Sequence, residues 1–267
     1  MRLSPRVEVH LMAGEEGCDW ARAHRAVAVV VDALRASATI TMLLQRGATG
    51  VIVVKEVDEA YAYREAHPDA VLVGERGGLK VSGFDFGNSP TEIQTAEVQG
   101  RLVVFTSTTG AQRLVDCLGA SAILVGTPIN ATAVARHAVA LARSADAPIV
   151  IIPAGLATDP AVVAEEDWLG AVELAAHMPD IPLSDAAAPS FQRYRRIIST
   201  AGLLAGFLAS AHGRKLVQLG FTDDIRVCAQ VDLIADVVPI LTAVIPLPCG
   251  GQGVHLQRGD REYVTSL

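Results

Sequence analysis

The chain has 267 residues, of which 51% are hydrophobic and 4% aromatic, and its formal net charge is -7 at pH 7. This length suits one large α/β domain or two small ones. The acidic balance and the scattered arginines argue against a nucleic-acid partner, but a few converging arginines would still create a local pocket for a small anionic substrate.

The four cysteines are far apart and show no C-x-x-C spacing, which indicates buried or incidental thiols rather than disulfides or a zinc site. No run of residues is apolar enough to span a bilayer, and the first five residues lack the apolar core of a signal peptide. We therefore expect a cytoplasmic protein with no membrane partner.

In chain order, short apolar runs alternate with helical patterns through the first half. Strands are predicted at 7–12, 26–31, 51–54, 70–73, 102–105, 122–125 and 148–152. One helix is predicted from after residue 37 to about residue 45, and a second over 56–66. A third is predicted to run through 113 and 117, and a fourth to span 129–142. This alternation predicts an α/β fold with three α/β/α layers and a mostly parallel or mixed sheet.

The second half is predicted to be mainly helical. One amphipathic helix is predicted at 162–177, a linker or helix start at 184–189, a long helical stretch at 191–212 and a short helix at 222–231. The run 237–241 predicts a closing edge strand, because Pro239 cannot donate to a central ladder. We predict a single α/β domain over 1–267, with 186–267 as a candidate C-terminal helical subdomain.

The segment 74–90, the glycine loop, reads Gly-Glu-Arg-Gly-Gly-Leu-Lys-Val-Ser-Gly-Phe-Asp-Phe-Gly-Asn-Ser-Pro. Its five glycines predict neither a helix nor a regular strand, and they allow the backbone to approach a bound group closely. Its polar side chains suit anion and metal binding, and they are Glu75, Arg76, Lys80, Asp85, Asn88 and Ser89. The alternative is a surface loop that merely connects two elements.

Other polar groups follow predicted strands, where open parallel sheets bind ligands along one edge. Asp32 is either a helix cap or a metal ligand or nucleophile, with Arg35 nearby. The turn at 106–110 either caps a helix or holds phosphate oxygens. The acidic run 165–167 either complements a helix dipole or binds a divalent cation. His212, beside Gly213 and Arg214, is more typical of a structural histidine than of a catalytic one.

Several phosphate-handling and hydrolytic motifs are missing from the sequence. It contains no G-x-x-x-x-G-K-[ST] loop, no G-x-G-x-x-G after a strand, no G-x-S-x-G elbow and no cysteine followed by five residues and an arginine. Asp32 also has no second aspartate two residues on, which argues against a haloacid-dehalogenase mechanism.

Five motifs occur in order: 31–37, 74–80, 83–90, Ala-Glu-Glu-Asp at 164–167 and His-Gly-Arg at 212–214. Together they resemble the 2-phosphosulfolactate phosphatase (ComB-like) family over about 27–239. The resemblance implies an α/β fold and Mg²⁺-dependent hydrolysis of 2-phospho-3-sulfolactate in coenzyme M synthesis. Members carry a run such as Asn-Gly-Thr-Arg where this chain has Thr-Gly-Ala-Gln at 109–112, so that the nearest arginine is Arg113.

The resemblance and the loop chemistry together assign three sets of site residues. The catalytic set is Asp32, Arg35, Glu75 and Arg76. The phosphate-binding set is Lys80, Asn88, Ser89, Ser107, Thr108, Thr109, Gly110, Arg113 and Arg214. The metal set, expected to hold Mg²⁺, is Asp32, Asp85, Glu166 and Asp167.

We therefore expect a phosphatase with a small anionic substrate and no nucleic-acid partner, and a homo-oligomer is compatible with this picture. Two alternatives stay open: a phosphatase of a different small phosphate monoester, and a non-catalytic sensor of a phosphorylated or sulfonated metabolite. The nucleophile, Asp32 or water, is also open.

Overall fold

The computed structural model describes residues 7–156, 159 and 163–259. Its strands are β1 Val9–Leu11, β2 Val27–Val31, β3 Gly50–Val53, β4 Val71–Arg76, β5 Leu79–Lys80, β6 Leu102–Thr106, β7 Ala122–Val125, β8 Ile149–Pro153, β9 Pro239–Pro246 and β10 Gln252–Arg258. Its helices are α1 Gly14–Ala23, α2 Ala36–Gln45, α3 Val57–Ala66, α4 Pro90–Ile93, α5 Gly110–Asp116, α6 Ala131–Ala145, α7 Glu165–Ala176, α8 Ala188–Ala201, α9 Leu203–Ala209, α10 Ala211–Gln218 and α11 Thr222–Cys228. The predicted α/β fold with a mixed sheet is confirmed.

The ten strands of the described residues form one sheet in the order β1-β8-β2-β7-β9-β10-β3-β6-β4-β5. It contains two parallel blocks, β1-β8-β2-β7 and β3-β6-β4. The antiparallel hairpin β9–β10 lies between them and pairs antiparallel with β7 on one side and β3 on the other. Three successive antiparallel pairings make the two blocks run in opposite senses.

This topology corrects the expectation that all the polar strand ends share one edge of a parallel sheet. Asp32 follows a strand of one block, whereas Glu75 and Thr108 belong to the other. Helices connect the blocks: α2 contacts β3, β7 and β9, while α5 contacts β2, β3 and β10. Nine of the ten residues of α2 are buried, so this helix is part of the core between the blocks.

The predicted edge strand at 237–241 is wrong in its position. Strand β9 begins at Pro239 and lies inside the sheet. Proline is tolerated there because it occupies the first residue of the strand, where a missing N–H costs least. Its partner β10 arises from the glycine-rich segment after Cys249, for which the sequence predicted no structure.

The glycine loop also departs from prediction, because its first residues form a hairpin. Strand β4 continues through Glu75 and Arg76 and pairs with β5. Gly77 and Gly78 make the two-residue turn with φ values of 65° and 95°, which is the conformation that favours glycine in tight hairpins.

The long helical stretch predicted at 191–212 is three helices, α8, α9 and α10. Gly202 interrupts the first two with φ 84°, and Ser210 caps α10 by accepting a hydrogen bond from the Gly213 amide at 2.9 Å. All three helices contact α7, which itself packs on β2 and β8. The predicted start of α7 at position 162 lies outside the described residues.

Among the helices of the described residues, none has the length and apolar character needed to cross a bilayer.

Candidate active site

A cavity of about 280 Å³ is lined by residues from both parallel blocks, among them Asp32 after β2 and Glu75 in β4. Among the described residues, four carboxylates line it, and they come from three separate parts of the chain: Asp32, Glu75, Glu166 and Asp167. Backbone amides hold each aspartate and Glu75 in place, so the acidic wall is fixed before any ligand enters.

Asp32 follows β2 and faces the start of α2. One carboxylate oxygen, Oδ1, accepts a hydrogen bond from the Ala36 amide at 3.2 Å, while the Asp32 amide donates to the Ser37 hydroxyl at 3.0 Å. The Gly110 amide also donates to the carboxylate. Asp32 is not the N-cap residue of α2, which is Arg35, but its carboxylate accepts from the first amide of that helix and also lines the cavity.

Burial is the main reason why the pKa of Asp32 is raised to about 6. The nearby carboxylates Glu75 and Glu166 act in the same direction, while the Ala36 and Gly110 amides oppose them. Gly110 allows the close approach of its amide. A Cβ atom at this position would lie 2.7 Å from Asp32 Oδ2, which is too close for any side chain without movement.

Glu75 ties the glycine loop to the turn after β6. Its Oε2 accepts from the Gly78 amide at 2.6 Å, and its Oε1 accepts from the Thr108 amide at 2.7 Å. Both oxygens are thus oriented by the two segments that the sequence associated with phosphate binding.

Glu166 and Asp167 lie in the first turn of α7. Asp167 accepts from the Ala33 amide at 2.8 Å and from the Gly155 amide at 3.0 Å. Burial raises its pKa well above the usual range, and the charges of Asp32 and Glu166 act in the same direction. Burial also raises the pKa of Glu166, against the hydrogen bonds from its own amide and the Ser210 hydroxyl.

The cavity lining also includes cationic and polar groups. They are Arg35, His212 and Lys215, the last two from helix α10. Burial lowers the pKa of His212, and the charges of Lys215 and Arg35 lower it further, which favours a neutral imidazole. Within the described part of the chain, the cavity lining therefore combines four carboxylates, which we call the acidic wall, with two cations, which we call the cationic wall.

Among the described residues that line this cavity, two have a buried side-chain oxygen with no hydrogen-bond partner: Asn88 Oδ1 and Thr108 Oγ1. Buried polar atoms are nearly always paired, so an unpaired one calls for a bound group or a functional reason. Both atoms belong to residues that line the same space as the four carboxylates.

Comparison with known proteins identifies the family. The family described as 2-phosphosulpholactate phosphatase matches residues 15–243. This chain belongs to that family.

Three curated relatives carry the name "Probable 2-phosphosulfolactate phosphatase". The protein of Carboxydothermus hydrogenoformans is 37% identical over 214 residues, covering 79% of this chain and 84% of the relative. That of Deinococcus radiodurans is 35% identical over 84% of this chain and 91% of the relative, and that of Symbiobacterium thermophilum is 34% identical over 81% and 91%. At the level of the family, the predicted class of phosphoric monoester hydrolase is confirmed.

Of the site residues predicted from the sequence, eight line the cavity: Asp32, Arg35, Glu75, Asn88, Thr108, Thr109, Glu166 and Asp167. Gly110 does not line the cavity but contacts Asp32, to whose carboxylate its amide donates. Ser107 orients the first turn of α5, since its hydroxyl accepts from the Ala111 amide at 3.1 Å.

Three arginines of the predicted set lie away from the cavity lining. Arg76 donates to the Lys55 carbonyl at 2.8 Å and to Thr106 Oγ1 at 3.0 Å. Arg113 donates to the Ala154 carbonyl at 3.0 Å, next to the Gly155 amide that holds Asp167. Arg214 is exposed and bonds to the Ala209 carbonyl.

The remaining predicted residues also lie outside. Asp85 accepts from the Leu72 amide at 2.7 Å and pairs with Arg64. Lys80 is exposed and lines a neighbouring cavity. Ser89 is buried and lines that same neighbouring cavity, and its hydroxyl donates to Asp224 at 2.7 Å.

Sequence reasoning missed Lys215 and Asp224 and treated His212 as structural. Helical spacing was the signal for Lys215: residues 212 and 215 are three apart on α10 and share a face, whereas 214 projects elsewhere. Nothing local marked Asp224, because its partners are 133 to 189 residues away in sequence.

Proposed function

We propose that this protein is a Mg²⁺-dependent phosphatase that hydrolyses a small phosphorylated hydroxy acid, with 2-phospho-3-sulfolactate as the leading substrate. The products would be 3-sulfolactate and phosphate, as in coenzyme M synthesis. The observation that carries the proposal is the joint lining of one cavity by four carboxylates, two cations and the unpaired oxygens of Asn88 and Thr108 among the described residues.

Charge supports a cation cofactor. The charged forms of these carboxylates repel a phosphate ester that enters beside them unless positive charge offsets them. Arg35 and Lys215 supply two charges, and Arg35 is already paired with Asp224. This is less than the acidic wall and a multiply anionic ester together require. A divalent cation between carboxylate and phosphate oxygens relieves both repulsions.

The donor atoms fit magnesium. They are all oxygens, which Mg²⁺ prefers, and it commonly takes one or two carboxylates and fills its other positions with water and substrate phosphate. No group of three or more acidic, histidine or cysteine side chains within the described residues has the spacing of a preformed metal cage. We assign Asp32 and Glu166 as the residues that would hold the ion, which when bound would polarise the phosphoryl oxygens and offset their charge.

The chain's own groups bind and orient the ester. Lys215 and Arg35 face the anionic groups, and the neutral His212 on the same wall adds a polar contact without further charge. In one route Asp32 attacks phosphorus, the P–O bond to the hydroxy acid breaks, and water then hydrolyses the aspartyl phosphate to free phosphate and the carboxylate. In the other route Asp32 orients a water that attacks phosphorus, so that the water oxygen ends in the released phosphate. In both routes the ester oxygen leaves with a proton from water. Both routes require the Asp32 carboxylate.

The test is phosphate release from a panel of esters, with and without Mg²⁺: 2-phospho-3-sulfolactate, phospholactate and phosphoglycolate. We expect Mg²⁺-dependent release that is fastest with 2-phospho-3-sulfolactate, and we expect Asp32→Asn to lose most of it while staying folded. Equal rates with the simpler esters would favour a phosphatase of another substrate. No turnover of any ester, together with a rise in melting temperature on ligand addition, would favour the sensor.

A further inference from the structure

The guanidinium of Arg35 is held by a buried ion pair with a residue from the far end of the chain. Its Nη1 donates to Asp224 Oδ2 at 2.6 Å, and its Nη2 donates to the Gly78 carbonyl at 2.7 Å. The two paired side chains are 2% and 0% exposed. The guanidinium also lies over the Phe221 ring, with 4.1 Å between its Cζ and the ring centre.

The second oxygen of Asp224 binds the end of the glycine loop. Oδ1 accepts from the Ser89 hydroxyl at 2.7 Å, the Thr91 amide at 3.1 Å and the Thr91 hydroxyl. One carboxylate on α11 therefore connects the turn that carries Arg35 with the segment that follows Asn88.

Stability alone does not account for such a pair. Desolvation of two charges offsets much of their attraction, and apolar replacements of buried ion pairs are often neutral or stabilising. The pair does fix a location, however. Arg35 is close to Asp32 in the chain, and it lines both the main cavity and a neighbouring one.

Two of the five guanidinium N–H groups make the bonds to Asp224 and Gly78, and Arg35 is one of the residues that line the cavity. The position of Arg35 relative to Asp32 thus depends on helix α11, which carries Asp224.

We propose that Asp224 is a positioning residue: its carboxylate holds Arg35 and the exit of the glycine loop where they bind the phosphate ester beside Asp32. This inference rests on the proposed phosphatase function. A purely structural Asp224 would affect folding stability and leave the kinetic constants of the folded enzyme unchanged.

A double-mutant cycle on kcat/KM separates the two roles. We expect Asp224→Asn, which keeps an oxygen for Ser89 and Thr91 but loses the charge, to lower kcat/KM by about 10- to 100-fold, because small misplacements of positioning groups have effects of that size. Arg35→Gln should lose as much or more. The double variant should resemble Arg35→Gln alone, since Asp224 then has nothing to position.

A matched control is Glu173→Gln. Glu173 is a buried carboxylate that pairs with Arg195 at 2.9 Å outside the cavity, and its loss is expected to lower stability without changing kcat/KM. If Asp224→Asn does not fold, Phe221→Leu is the substitute, because it removes the aromatic face under the guanidinium and keeps the ion pair. We expect it to lower kcat/KM by about threefold to tenfold, which is the size of effect expected for the loss of a cation–π contact.

Binding of inorganic phosphate with Mg²⁺, followed by calorimetry, is the second readout and should weaken in parallel with kcat/KM. Wild-type turnover with unchanged kcat/KM in the folded Asp224 or Phe221 variant would overturn the inference and leave the proposed function standing. Losses that add in the double variant would also overturn it. A wild-type protein that neither turns over an ester nor binds phosphate would overturn the proposed function and the inference with it.

Discussion

The acidic wall should make the metal-free protein less stable as pH rises, and Asp32→Asn isolates the contribution of one carboxylate. Burial raises the pKa of Asp32 from 3.8 to about 6 in the folded chain. The folded state therefore holds this proton over a pH range in which the unfolded state has released it. The contribution of Asp32 to the free energy of unfolding is therefore fully present below about pH 4 and is lost as pH rises through about 6.

The magnitude follows from the two pKa values. One pKa unit corresponds to about 1.36 kcal/mol, so the interval from 3.8 to about 6 corresponds to about 3 kcal/mol in the free energy of unfolding. Most of this loss, about 2 to 3 kcal/mol, falls between about pH 4 and pH 8.

The assay is urea unfolding with a chelator present, at several pH values from about 4 to 8, for wild type and Asp32→Asn. The difference between the two proteins at each pH removes the contributions of the other titrating groups. We expect this difference to shift by about 2 to 3 kcal/mol in favour of the variant as pH rises. Asp223→Asn, which replaces an exposed aspartate on α11, is the control for replacing an acid by an amide.

A difference that does not change with pH, or that moves in favour of wild type, would show that burial does not raise the pKa of Asp32, because the Ala36 and Gly110 amides then balance or outweigh it. Adding Mg²⁺ near pH 8 should raise the free energy of unfolding of wild type more than that of the variant, since a ligand that binds the folded state stabilises it by mass action.

Two further substitutions test the geometry of the cavity. Gly110→Ala places a Cβ 2.7 Å from Asp32 Oδ2, so we expect it to remove most phosphate release while the circular dichroism spectrum stays native. Gln112→Ala on the same helix is the control. A Gly110→Ala variant with normal activity would show that catalysis does not require this position of Asp32. Lys215→Met should raise KM for 2-phospho-3-sulfolactate by about tenfold, the scale of one charge-assisted bond, with a smaller change in kcat. Lys80→Met is its control, and equal effects of the two would count against a role for Lys215 in the cavity.

Much of the fold could be predicted because the strands of the first half are short, apolar and well separated. The valine-rich run at 27–31 is fully buried, as a strand covered on both faces must be. The position of β9 and β10 could not be predicted in this way. The restriction that proline imposes on a central ladder does not apply to Pro239, which is the first residue of its strand. The hairpin also depends on pairing with β3 and β7, which are distant in sequence.

The site shows the same division. Asp32, Glu75 and the acids at 166 and 167 could be predicted because each follows a predicted strand or lies in a predicted helix, although β4 continues through Glu75 in the structure. The contributions of Lys215 and Asp224 depend on how the C-terminal helices pack against the glycine loop, and that packing is set by contacts distant in sequence. Gly202 is one cause, since it divides a continuous helical pattern into α8 and α9.

The proposed function requires that the acidic wall and the cationic wall of one cavity together bind a metal ion and a phosphate group. The most direct measurement is a crystal structure of the protein soaked with Mg²⁺ and inorganic phosphate. We predict the ion at Asp32 and Glu166, with the phosphate between it and Lys215 and within hydrogen-bond distance of Thr108 or Asn88. Phosphate and Mg²⁺ bound elsewhere, with this cavity holding only water, would contradict the proposed site.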